Sequence, residues 1–155
     1  MTANGPPKQP AGNGAALVLE QQIVRGTARP YERRVFGDGR CEERTDTVAE
    51  FVDGHFKFST KDWVWERVAV FGDEAMHELR AAMKTAFRPP HLGVHRPKGT
   101  AIGGADITWI SYESDPPLVI TMRAHPATEI AEVDALGPML DRLVAVAGDQ
   151  ARGWR

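Results

Sequence analysis

Two apolar runs across a short turn, in the stretch Asp106 to Ala124 (DITWISYESDPPLVITMRA), constrain this chain more than any other feature. Ile107–Tyr112 and Leu118–Met122 are rich in β-branched and aromatic residues, and between them lie the turn formers Ser114-Asp115-Pro116-Pro117. Such a pair reads as a β-hairpin. In the second run Leu118, Ile120 and Met122 share one face, and Val119, Thr121 and Arg123 take the other. The first run is apolar on both faces, with Ile107 and Trp109 on one and Ile110 and Tyr112 on the other, which places it centrally in a sheet.

Two further hairpins are predicted upstream. Tyr31–Phe36 and Arg40–Thr45 flank Gly37-Asp38-Gly39, a three-residue turn with room for a left-handed position. Both arms carry many charges, as expected of a solvated hairpin near a sheet edge. Thr47–Val52 and His55–Thr60 flank Asp53-Gly54, a two-residue turn whose register sets Phe51 opposite Phe56 and Glu50 opposite Lys57. A short helix over Thr47–Val52 is the competing reading. Leu17–Val24 is a half-buried strand with Leu17, Leu19 and Ile23 on one face, interrupted by Gln21. Trp63–Phe71 reads as another strand, with Val64, Val68 and Val70 on one side and Trp63 and Trp65 on the other.

Helical spacing of Ala75, Met76, Leu79, Ala82, Met83, Ala86 and Phe87 predicts a helix from Asp73 to Phe87, with Asp73 as its N-cap and Pro89-Pro90 ending it. A last helix starts near Asp134 or at Pro138, has an apolar face of Met139, Leu140, Leu143, Val144 and Ala147, and stops at Gly148. Between the helices, Arg88–Gly104 reads as a long loop. Strands joined by hairpins, with few helices between them, imply an α+β fold: an antiparallel sheet of about five to seven strands with two main helices on one face. The expected organisation is a disordered tail at residues 1–14, one domain at 15–148 and a frayed tail at 149–155.

Composition removes several function classes. A net charge of −2 argues against a general nucleic-acid binder. No apolar run approaches the ~20 residues of a membrane span, and the N-terminus lacks the apolar core of a secretory signal. The single cysteine, Cys41, precludes an internal disulfide and fits a reducing, cytoplasmic setting. Glu42 and Glu43 beside it raise its pKa and speak against a nucleophile.

Candidate chemistry is sparse. His91 and His95 have a zinc-like spacing, but Pro89, Pro90, Gly93 and Pro97 oppose the helix that would align them, and no third ligand is evident. The glycines of Lys98–Gly104 lack the order and context of a phosphate loop. Arg25, Arg29, Arg33, Arg34, Arg40 and Arg44 crowd one stretch among acids, which suggests a salt-laced hairpin more than an anion-binding patch. Trp63 and Trp65 are either core under a helix, the favoured reading, or an aromatic binding patch. Asp106, the one acid in an apolar setting, suits a turn or cap. No cofactor is expected.

Several segments, in this order, are similar to the emfourin-type proteins, small bacterial inhibitors of thermolysin-like metalloproteases. They are Val24-Arg25-Gly26, Gly37-Asp38-Gly39, Asp73–Phe87, Ala105-Asp106-Ile107-Thr108-Trp109 and Gly137-Pro138-Met139-Leu140. The resemblance covers about two thirds of the chain and implies a protease partner, as an analogy at family level. The insert Thr47–Lys61 and the His91–Gly104 loop depart from that pattern, so no functional residue is carried over. Two functions are therefore weighed. One is a non-enzymatic, inhibitor-like domain that docks a protein partner through Trp63, Trp65, Arg33 and Arg34. The other is a small-molecule-binding or metal-dependent enzyme at the 88–104 loop, using His91 and His95.

Overall fold

In chain order the elements are β1 (Leu17–Val24), β2 (Tyr31–Phe36), β3 (Arg40–Arg44), β4 (Thr47–Val52), β5 (His55–Thr60), β6 (Glu66–Val70), α1 (Asp73–Ala86), β7 (Gly93–His95), β8 (Ala105–Ser111), β9 (Leu118–His125), α2 (Ala131–Asp134) and α3 (Leu136–Arg152). They come from a computed structural model, which describes residues 15–26, 29–99 and 103–152. Among the described residues seven strands form one sheet in the order β6-β3-β2-β1-β8-β9-β7, while β4 and β5 pair only with each other. Every neighbouring pair in the large sheet is antiparallel except β7 with β9. The chain is an α+β protein. The hairpin β8–β9 is interior, with β1 on one side and β7 on the other, as expected from a first strand apolar on both faces.

One core lies between the sheet and the helices. Leu19, Val35, Cys41, Trp109, Ile120 and Met122 from the strands meet Met76, Leu79, Met83 and Ala86 of α1, Val133 of α2, and Leu136, Leu140 and Leu143 of α3. The α1 stripe thus packs as its spacing predicts. Gln21 breaks the apolar face of β1 because it accepts a hydrogen bond from the buried Arg33 Nε at 2.8 Å. The opposite face of the sheet is held by side-chain pairs: Arg34 with Glu42, Arg44 with Glu32, Gln22 with Glu32 and Tyr112 with Glu20. Asp106 is structural: it accepts from Arg123 Nη1 at 2.7 Å and from the Ala124 amide at 3.0 Å, at an irregularity in the β8–β9 register.

Several boundaries differ from expectation. The N-cap of α1 is Gly72, extended and without a side-chain cap, and Asp73 is the first helical residue, where its charge faces the helix dipole. The strand expected from Trp63 starts only at Glu66, because residues 61–65 run across the outer face of the sheet instead of pairing. Part of the Arg88–Gly104 loop is ordered: Pro89–His91 is a 3₁₀ turn, and Gly93–His95 adds a parallel edge strand to β9. Three residues with no alternation give no readable strand signal. The last helix forms as α2 and α3, and α3 runs through Gly148 to Arg152 where a stop was expected. A glycine ends a helix only when the backbone turns left-handed there, and Gly148 stays helical. The tail expected at residues 1–14 lies outside the described residues.

Candidate partner-binding surface

The hairpin β4–β5 stands apart from the main sheet. Asp53 and Gly54 have φ of 51° and 79°, so both turn residues take the left-handed geometry that a two-residue hairpin of this twist needs. The ladder runs from Thr47 opposite Thr60 to Val52 opposite His55, with Phe51 facing Phe56 and Glu50 facing Lys57, and it excludes the helical reading of Thr47–Val52. Pairing puts Ala49, Phe51, Phe56 and Phe58 on one face and Glu50, Val52, His55 and Lys57 on the other. The arm is closed at its base by the Lys61 amide bonding to the Asp46 carbonyl at 2.9 Å.

Phe51, Phe56 and Phe58 are 67%, 67% and 69% exposed. They still order one another. Phe51 and Phe56 meet edge to face at 5.2 Å between centroids, and Phe56 and Phe58 stack at 6.3 Å. A contiguous aromatic patch on a two-stranded arm is an arrangement that soluble surfaces rarely keep without a use.

The residues singled out from the sequence lie near the arm but play other parts. Trp63 and Trp65 are half-buried, neither core nor open patch, and lie flat among arginines on the outer face. The guanidinium of Arg44 sits 3.7 Å from the Trp63 ring centre and 4.4 Å from that of Trp65. Arg34 lies 3.8 Å from Trp65, Arg29 lies 4.9 Å from Trp63, and the ladder continues through Arg34 and Arg40 over Phe36. Trp63 Nε1 also donates to the Pro30 carbonyl at 3.3 Å. Each desolvated cation–π contact contributes on the order of 1 kcal/mol. This ladder clamps the segment from the arm into β6, so it positions the arm. Arg33, next to Arg34 in sequence, points through the sheet to the helix side and pairs with Asp141 at 2.6 Å. The four named residues therefore do not form one surface.

His91 and His95 are tied to backbone. His91 Nδ1 lies 2.9 Å from the Ala86 carbonyl and is buried, and His95 Nε2 lies 2.7 Å from the His91 carbonyl. Among the described residues no group of three or more His, Cys, Asp or Glu is placed to hold a metal. Cys41 is fully buried and its thiol is pushed up to about 12, by burial first and with Glu43 and Glu42 adding to it. Among the described residues no helix is long and apolar enough to cross a membrane.

The phenylalanines were missed as a surface. Their common face is readable from the Asp53-Gly54 register, but a half-apolar hairpin reads the same whether or not a core covers it. Comparison with known protein families, with curated proteins and with solved structures found no match.

Proposed function

We propose that this chain is a non-enzymatic protein-binding domain that docks through the β4–β5 arm, with a thermolysin-like metalloprotease as partner. One observation supports the docking element above all: three phenylalanines, each about two-thirds exposed, share one face of a hairpin that the main sheet does not take up. Burying what remains exposed of these rings would contribute roughly 3–6 kcal/mol toward association. Their rigid two-torsion side chains lose little entropy on docking, and prior stacking reduces the loss further. The protease assignment rests on the emfourin-like order of segments, which does not include the arm, so partner and docking element are supported separately. A competition in which the full chain is titrated against thermolysin tests both parts. The wild type is expected to bind and inhibit, and Phe51→Ser/Phe56→Ser/Phe58→Ser to lose binding while melting like the wild type. Absence of binding removes the protease as partner. Binding that survives the triple substitution removes the arm as docking element.

A further inference from the structure

A cavity of about 450 Å³ opens on the helix side of the sheet, between β1, β2, β8, β9 and the start of α3. Its accessible apolar wall is Ile23 and Ile107, backed by the buried Trp109, and its polar lining includes Gln21, Arg33 and Tyr31. Arg33 is 5% exposed. Its Nε is fixed by Gln21 Oε1 at 2.8 Å, and its Nη1 meets Asp141 Oδ1 at 2.6 Å. The side chain of Asp141, by contrast, is 71% exposed.

That asymmetry is chemically informative. A buried guanidinium is strongly unfavourable without a counter-charge. Here the counter-charge stands mostly in water and makes one hydrogen bond to it, so swinging it away forfeits little. Arg33 cannot follow, because Gln21 holds it. The arrangement is a fixed receptor for an anion with a tethered carboxylate as placeholder. The planar fork of an arginine matches a carboxylate in particular. A fixed charged group beside an apolar wall, at this volume, is a build that small-molecule sites use. Elsewhere on the lining, His125 and Asp134 pair at 3.5 Å and Arg25 adds a second cation.

We propose that this cavity binds a small carboxylate with a flat or branched apolar body, its carboxylate on Arg33 in place of Asp141 and its body against Ile23 and Ile107. The site is separate from the arm and does not depend on the docking reading. Calorimetric titration of the full chain with 2-naphthoate tests it, with the neutral 2-naphthamide as control. Saturable one-to-one binding of the acid is expected, with the amide at least about tenfold weaker, the scale of a charge-assisted pair. Asp141→Asn, at an exposed position, should tighten naphthoate severalfold by removing the competing charge, and Arg33→Gln should abolish binding. Should either variant fail to fold, the ratio of acid to amide binding on the wild-type chain still decides. Equal binding of acid and amide, no saturable binding at millimolar naphthoate, or an Asp141→Asn variant that binds no tighter would overturn the proposal. Phe51→Ser/Phe56→Ser/Phe58→Ser should bind naphthoate like the wild type, which keeps this test distinct from that of the arm.

Discussion

The two consecutive hairpins β2–β3 and β4–β5 are close in length and both turn on glycine and aspartate, yet their fates are opposite. The charged one is built into the sheet, with β1 on one side and β6 on the other. The aromatic one stands outside it. Overall hydrophobicity would assign them the other way round. What decides is the pairing of each face. In β2–β3 the inward Val35 and Cys41 fill the core, and the outward charges find partners in one another and in Trp63 and Trp65. In β4–β5 one face is apolar, and the phenylalanines on it stay exposed.

Substitutions should separate the two hairpins sharply. Val35→Asp places an unpaired charge at a fully buried position. It should lower stability by roughly 4 kcal/mol or more, enough to leave the chain unfolded in chemical denaturation. A variant with wild-type stability would show that β2 is not integrated as described. Gly39→Ala comes next. Gly39 has φ of +92°, and an added Cβ would sit 2.1 Å from the Phe71 carbonyl oxygen, so β3 and the segment entering α1 must move apart. A loss of about 2–4 kcal/mol in the denaturation midpoint is expected.

Trp65→Ala removes the ring between Arg34 and Arg44 and should lower stability by about 2 kcal/mol. It should also raise hydrogen exchange at the base of the arm, and no change in either readout would mean that the ladder clamps nothing. Excising residues 47–60, with two glycines joining Asp46 to Lys61, should leave the melting transition within about 1 kcal/mol of wild type, because the arm shares no core with the body. A collapse of the fold would merge the two hairpins into one cooperative unit. Gly54→Ala is the smallest and most local. Its φ of +79° is strained for alanine but its surroundings are open, so exchange should rise within the arm by the equivalent of about 1 kcal/mol while global melting stays put.

Legibility followed the range of the interactions. Turn chemistry at Gly37-Asp38-Gly39 and Asp53-Gly54 announced both hairpins, and at Asp53-Gly54 the register as well, since a two-residue loop leaves few pairings open. The α1 stripe of Met76, Leu79 and Met83 announced its buried face for the same local reason. The parallel strand Gly93–His95 was not legible, because it exists only through pairing with β9 about 27 residues later. Of the residues named as a binding surface, Arg33 and Arg34 already part to opposite faces by strand alternation. Trp63 and Trp65 could not be placed, since their arginine partners come from β2, β3 and the segment before β2.

By itself, then, the sequence determined the hairpins, the helix stripes and the α+β class, all of which rest on contacts between near neighbours. Only the tertiary structure decided that the aromatic hairpin is left outside the sheet, because that depends on whether any other element arrives to cover it. The tertiary structure likewise decided that Arg33 meets Gln21 on β1 and, 108 residues along the chain, Asp141 on α3. No local pattern encodes a buried cation whose counter-ion arrives on the last helix; packing α3 over the sheet brings them together.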